Sequence, residues 1–322
     1  MRALKYSDVV LVPQHSSLKS RGDASTTTTL TSPHTTGRYL SFDLPVVPAN
    51  MKAVIGMQQA KEISANNLFY VMHRFGESNV DFCRKASQDK WALISISVGV
   101  KSVDREQLIK IKQEDLRVDC ITIDVAHGHS ILVKNMLRHV RDIFPNVFII
   151  AGNVATPEAV KDLVMWGADC VKVGIGQGQV CITKDKTGFT YPMFTSMRKC
   201  SKENPGIPLI ADGGIRCHGD IAKALVAGAS MVMIGSLFSQ CVDSPAPSTV
   251  VNGKTHKQYF GSASEYNKKE KRHIEGILLE IPSSPMKYQE KYQEIKEDLQ
   301  SAISYAGGTN LSCFKNTTVL EI

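Results

Sequence analysis

No apolar run in the 322 residues approaches the roughly 18 needed to cross a bilayer. The opening stretch, MRALKYSDVVLVPQHSS, holds an apolar patch of only about four residues, too short for the core of a secretory signal. The closing TTVLEI carries no address motif. A cytoplasmic chain with no membrane partner is the expectation. The eight cysteines, at positions 83, 120, 170, 181, 200, 217, 241 and 313, contain no Cys-x-x-Cys pair, which excludes a zinc ribbon and a thioredoxin-type motif. No strong Gly-x-Gly-x-x-Gly fingerprint follows the first strand, which counts against an open doubly wound dinucleotide fold. Basic residues number 38 against 31 acidic, for a formal charge of +7. Their one cluster, Lys268–Arg272, reads as a solvated loop or as a contact for a phosphorylated small molecule; nucleic acid needs a denser stripe.

What is present is an ordinary globular balance, 43% hydrophobic and 21% charged, in a chain long enough for a large core. Short apolar or β-branched runs recur at Val46–Ala49, Phe69–Met72, Ala92–Ser97, Cys120–Asp124, Val147–Ala151, Cys170–Val173, Pro208–Ala211 and Met231–Ile234. Most starts lie roughly 23 to 28 residues apart, one strand plus one helix each. The clearest intervening helix has Thr156 as N-cap, Pro157 at its first position and Gly167 past its end. The endings GADCVKVG and GASMVMIG form a weak internal repeat. Eight such units predict an α/β fold, a closed (β/α)8 TIM barrel, as a single domain over residues 1–322. Two longer connections break the pitch. One follows strand six and holds GIGQGQVCITKDKTGFTYP; the other follows strand eight, from Cys241 to about residue 300, with a short hairpin near Lys257–Phe260. These predict an active-site loop and a flap at the C-terminal mouth.

The loop after strand six carries the most chemistry. Gly174, Gly176 and Gly178 free the backbone to approach a ligand, and carbonyls turned inward there suit a monovalent cation. Cys181 sits on that loop and Thr183 two residues on. They read either as a nucleophile with a proton relay or as a glycine-rich turn with an incidental cysteine. Gly213, Gly214, Gly235 and Ser236 follow strands seven and eight, where this barrel type cradles phosphate, and Asp212 is placed to hold two ribose hydroxyls. Asp124 reads as a hydrogen-bonding residue of the mouth. His127 and His129 form a His-x-His pair without evident partner ligands. Glu275 is either an exposed loop acid or a proton shuttle, and Met51 either covers an aromatic base or packs in the core.

Taken together, Pro48-Ala49-Asn50-Met51, Asp124-Val125-Ala126-His127-Gly128, Ala151-Gly152-Asn153-Val154, Lys172-Val173-Gly174-Ile175-Gly176, Val180-Cys181-Ile182-Thr183, Asp212-Gly213-Gly214-Ile215 and Tyr259-Phe260-Gly261-Ser262 resemble the GMP reductase and IMP dehydrogenase family. The resemblance runs from about Tyr6 to about Thr309. Within the family the chain is more similar to the reductase branch of bacterial type. Dehydrogenases of the family usually carry a pair of CBS domains after the second strand, and Phe69–Arg74 runs on to Ala92 with no room for one. They also carry an Arg-Tyr dyad on the flap, and no such dipeptide occurs between Cys241 and Glu275. Phe260–Glu265 and Ile303–Gly308 look reductase-like. A dehydrogenase that has lost its CBS domains is the alternative.

The resemblance implies NADPH-dependent conversion of GMP to IMP and ammonia through a covalent adduct between Cys181 and purine C2, with Thr183 and Glu275 protonating the leaving group. It implies that Asp124 and Asp212 bind substrate, with Asp212 on the ribose. Gly213, Gly214, Gly235 and Ser236 then hold the phosphate, and Met51, Ser262, Ala263, Arg272 and Gly276 border the base. It gives Arg74, Asn153 and Tyr305 to the cofactor, Tyr305 reaching that of a neighbouring subunit, and the carbonyls of Gly176 and Gly178 to a potassium-like ion. A homotetramer is implied as well. Two departures stand out: Arg74 replaces a lysine common in relatives, and Gln177 replaces the proline of Gly-Ile-Gly-Pro-Gly.

Overall fold

The computed structural model describes residues 2–34, 37–76 and 78–322. Its centre is one sheet of seven parallel strands. In ladder order they are Val46–Pro48, Met231–Ile234, Leu209–Asp212, Cys170–Val173, Phe148–Val154, Cys120–Asp124 and Ser95–Val98. Apart from the pairing of the first with the last in sequence, each strand pairs with the next along the chain. That needs a crossover, and helices supply it. With helices on one face and the curled sheet's own interior on the other, the strands are buried on both sides and are nearly continuous in apolar residues. The helix Ile131–Ile143 shows how such a crossover is built. Val133, Met136, Leu137 and Val140 recur at helical spacing and are all buried. The helix Pro157–Met165 starts as expected: Thr156 Oγ1 accepts from the Ala159 N–H at 3.3 Å and Pro157 takes the first turn.

The expected closed ladder of eight is corrected to an open one of seven. Phe69–Met72 forms no strand; it makes one bridge, Met72 to Ile96. The Met72 N–H donates to the Ser95 carbonyl at 3.1 Å and Ser97 Oγ donates back to the Met72 carbonyl at 2.6 Å. Among the described residues no bridge joins the segment to Val46–Pro48. Side chains hold it instead. Phe69 packs on Phe42 with ring centres 4.9 Å apart, and Tyr70 lies edge-on to Phe82 and Trp91 while its hydroxyl donates to the Leu93 carbonyl. Other boundaries move less. Val147–Ala151 is found as Phe148–Val154, because pairing continues through a register shift between Gly152 and Val154. Pro208–Ala211 is found one residue later, and Ala92–Ser97 begins only at Ser95.

The stretch from Cys241 onward divides in two. Ser248–Val251, Lys254–Phe260 and Leu278–Pro282 form a three-stranded antiparallel sheet, larger than the single hairpin expected. The helix Tyr288–Tyr305 then returns to the core, burying Tyr288, Tyr292, Ile295, Leu299 and Ile303. Lys257 ties the small sheet to its root. Its ammonium is buried and donates to the carbonyls of Val242, Ser244 and Ala246 at 3.0, 3.3 and 3.3 Å. Among the described residues no helix is long and apolar enough to cross a membrane.

His73 ends the unladdered segment and is 3% exposed. Burial first, and Lys52 second, push its imidazole down to about 4. Its Nδ1 accepts the Phe75 N–H at 3.2 Å, a bond only the neutral ring makes. The unfolded chain therefore takes up this proton near the ordinary histidine value, and the folded chain only near 4. Stability is complete above that ordinary value and falls as pH drops towards 4, by about 1.4 kcal/mol per pH unit from this group. Urea midpoints measured between pH 7 and pH 5 should fall for the native protein. They should fall less for His73→Asn, and parallel pH slopes would show that His73 does not titrate as described.

Candidate functional site

A cavity of about 660 Å³ opens at the C-terminal ends of the strands. Its floor is an ion triad. Lys172, on the strand Cys170–Val173, is 2% exposed and lies 2.9 Å from Asp124 Oδ1 and 2.6 Å from Asp212 Oδ2. Burial alone would push the ammonium down, but the two carboxylates outweigh it and hold Lys172 well above the ordinary lysine value. Burial likewise opposes the charge on Asp124, and Lys172 beside it holds that carboxyl below the usual carboxylate range. Asn153 Nδ2 donates to the same Asp212 oxygen at 2.9 Å and to the Gly174 carbonyl at 2.7 Å. The ends of four neighbouring strands are thus cross-linked by polar side chains.

Above the triad runs the glycine loop. Gly174 has φ +146°, and a Cβ there would come within 2.0 Å of the Asp212 carbonyl oxygen, so no other residue fits. The loop leads to Cys181, whose N–H donates to the Gly178 carbonyl at 3.2 Å. The returning flap segment pairs with it. The Ile182 N–H donates to the Glu275 carbonyl at 2.9 Å, and the Ile277 N–H to the Val180 carbonyl at 2.9 Å. That pairing brings the Glu275 side chain over the short helix Thr183–Thr187. Thr183 Oγ1 lies 2.6 Å from Glu275 Oε2 and 3.2 Å from Cys181 Sγ. A carboxylate only accepts, so the threonine hydroxyl donates to Glu275 and accepts from the thiol. The three groups form a continuous path along which a proton leaves sulfur and reaches a carboxylate, the requirement for activating a thiol and later protonating a leaving group.

The same cavity is lined by Gly213, Gly214, Gly235 and Ser236 on one wall, and by Ser262, Ala263 and Gly276 on the flap side. Met51 faces it, with Tyr259 Oη 3.9 Å from its sulfur. Arg74 stands at another edge, its guanidinium carbon 4.7 Å from the centre of the Phe75 ring, with Lys101 also lining the cavity. Gly176 and Gly178 border it too. Two expected residues are not brought here. Lys268 Nζ donates to the carbonyls of Arg272 and His273 at 2.8 and 3.3 Å, closing a turn that leaves Arg272 exposed, and Lys268, Glu270 and His273 line the cavity in its place. Tyr305 lies outside the cavity at the end of the last helix, 57% exposed, with the Arg21 guanidinium 5.2 Å over its ring.

Sequence reasoning missed Lys172 and Tyr259. A signal for the first existed: a lysine inside the apolar run Cys170–Val173 must be paired if the strand is buried on both faces. Tyr259 gave none beyond its place in a motif. His129 turns away from the mouth to Asp162, 2.8 Å off, and stacks near Trp166. Among the described residues no three His, Cys, Asp or Glu side chains are grouped to hold a metal ion.

Residues 3–321 match the family model described as "IMP dehydrogenase / GMP reductase domain". A GMP reductase of Mycoplasma mycoides subsp. mycoides is 46% identical over 320 residues, covering 98% of this chain and 96% of that protein. One from Mesoplasma florum is 47% identical over 318 residues, covering 98% and 96%, and one from Enterococcus faecalis 46% over 318 residues, covering 98% and 95%.

The triad makes a direct prediction. Lys172→Met leaves two half-buried carboxylates facing each other without a counter-charge and should cost about 3 kcal/mol of stability, the low end for a buried pair, read as a lower urea midpoint. Adding Asp124→Asn and Asp212→Asn to that variant should restore part of the loss. If the single variant melts like the native protein, the triad does not stabilise the strand ends.

Proposed function

The chain belongs to the IMP dehydrogenase/GMP reductase family, and from that premise we propose that it carries out the reductive deamination of GMP to IMP and ammonia with NADPH. The observation that carries this reading is the contact path from Cys181 through Thr183 to Glu275 at the mouth of a cavity large enough for a nucleotide. Curated relatives of the reductase type match nearly the whole chain, and the flap lacks the Arg-Tyr dipeptide that the dehydrogenase branch uses to activate water.

The chain's own residues take the following parts. The thiol proton of Cys181 passes to Thr183 as the threonine proton passes to Glu275, and the thiolate adds to C2 of the guanine ring. The relay then returns its proton to the departing amino group, which leaves as ammonia and keeps sulfur bonded to C2. Bound NADPH would supply the hydride for C2; Cys181 is then the leaving group, freed as the thiolate with IMP and regaining its proton from solvent. Asp212 is fixed by Lys172 and Asn153 through one carboxylate oxygen, which leaves its second oxygen for the ribose hydroxyls. Gly213, Gly214, Gly235 and Ser236 present main-chain N–H groups and a hydroxyl to the phosphate. Met51, Ser262, Ala263 and Gly276 border the base. Arg272 faces outward from the same loop, and Lys268 and His273 stand on the base side in its place.

At the cofactor end, the cationic Arg74 and Lys101 with the Phe75 ring fit an anionic dinucleotide carrying flat rings. Asn153, which holds Asp212, lines the same cavity and is assigned to the cofactor as well. The exposed Tyr305 ring, backed by Arg21, suits contact with the cofactor of a neighbouring subunit in a homotetramer. The Gly176 and Gly178 carbonyls fit part of a potassium shell. They are neutral oxygen donors on the nucleophile loop, and no backbone N–H among the described residues donates to that of Gly176. Phe69–Met72 serves as the second stave of a (β/α)8 barrel, and the excursion beginning at Cys241 as its flap.

Purified protein with GMP and NADPH should lose absorbance at 340 nm and release ammonia in step. A gain of absorbance with IMP and NAD+, and none of the first reaction, would assign the chain to dehydrogenation instead. Cys181→Ala should abolish turnover, by at least about a thousandfold, and still bind GMP within a few fold of native affinity. Substantial residual turnover would remove Cys181 from the chemistry.

A further inference from the structure

The loop that carries Cys181 has Gln177 where the family resemblance implies the proline of Gly-Ile-Gly-Pro-Gly, and the structure shows what the glutamine does there. Gln177 Nε2 donates to Thr190 Oγ1 at 2.7 Å, and Thr190 Oγ1 in turn donates to the Ile175 carbonyl at 2.9 Å. One hydroxyl therefore uses both its acceptor and its donor capacity to hold residues 175 and 177 against residue 190. Cys181 and Thr183 lie on the chain between these anchor points. Contact is close at Gly176, where φ is +76° and a Cβ would stand 2.8 Å from Thr190 Oγ1. From the other side, Arg216 Nη2 reaches the Gln177 carbonyl at 3.4 Å. Among the described residues the Gln177 N–H donates no hydrogen bond, so a proline at this position forfeits none.

We propose that Gln177 and Thr190 form a clasp that positions the nucleophile loop, replacing the restraint of a proline ring with a two-bond relay through one hydroxyl. A ring limits the loop through a covalent φ constraint. The clasp limits it by closing residues 175–190 into a loop fastened at both ends, which lowers the entropy of everything inside it. Gln177 and Thr190 touch no reacting atom in this scheme and act only through the placement of Cys181 and Thr183. The proposal rests on Cys181 as the nucleophile of the reaction above.

The test uses the full chain and a readout independent of activity. Gln177→Ala and Thr190→Val should each speed hydrogen exchange of the 174–182 amides by about threefold or more, the size expected for losing one such bond. The double variant should exceed the larger single effect little, because either change opens the whole clasp. Gln177→Pro should return exchange to near the native rate even in the Thr190→Val background. In turnover, the two single variants should lose about three- to tenfold in kcat with the KM for GMP within twofold, and Gln177→Pro should recover it. Unchanged exchange in both single variants, or a double effect equal to the product of the singles, overturns the clasp. Should Thr190→Val fail to fold, Gln177→Ala with Gln177→Pro decides alone. Faster exchange in the two single variants, with a native protein that never consumes GMP, would uphold the clasp and sink the reductase reading, so the two fail separately.

Discussion

A single buried ammonium sets the terms for the rest of the molecule. Lys172 is withdrawn from water inside a parallel sheet, where an unpaired charge is costly. It is tolerable only with Asp124 and Asp212 at 2.9 and 2.6 Å, one from each side of its own strand. That demand fixes where three strands end relative to one another, and with them the floor of the cavity. It also decides the character of the two acids. Neither is a free carboxylate waiting for a ligand; each is half of an ion pair with part of its capacity still open. The Asn153 amide adds a fourth strand end to the same network.

Over this rigid floor the chemistry is carried by chain that is not part of the sheet. Cys181 stands on a loop shaped by glycine, and Glu275, the acid in contact with Thr183, arrives from a separate excursion more than ninety residues later. Main-chain bonds, Ile182 to Glu275 and Ile277 to Val180, bring the two together. Strand ends hold the ion network, while loops hold the contact from Cys181 through Thr183 to Glu275. The Lys257 staple, an ammonium on three carbonyls at the root of the flap, marks where one regime passes into the other.

Much of this was legible in the sequence, for a physical reason: a βα unit has a fixed length, so eight apolar runs at a steady pitch locate the strands, and polar residues after them locate the mouth. Cys120–Asp124, Cys170–Val173 and Met231–Ile234 were read to the residue. Phe69–Met72 was not, because an apolar run has the same composition whether a ladder or packed aromatic rings hold it in place. Cys181 and Thr183 were recognisable from their motif, and Glu275, alone either a loop acid or a shuttle, joined them only through what the family resemblance implies. Their mutual contact was not legible, since residues 183 and 275 meet only through tertiary pairing. Arg272 shows the opposite case. A motif gives a residue's place along the chain and says nothing of which way a turn faces, and two bonds from Lys268 turn this one outward. Lys172 was overlooked although an isolated charge in an apolar strand announces a buried pair.

The two main-chain bonds that join the Glu275 and Cys181 segments also set what their side chains can reach. Glu275 is not delivered by its own side chain finding Thr183; it comes with a short zipper of backbone pairing. In paired extended backbone a slip of one residue turns every side chain to the opposite face. The contact between residues 183 and 275 is therefore only as exact as the register of two segments far apart in the chain, and the backbone here works as an alignment jig for a side-chain contact.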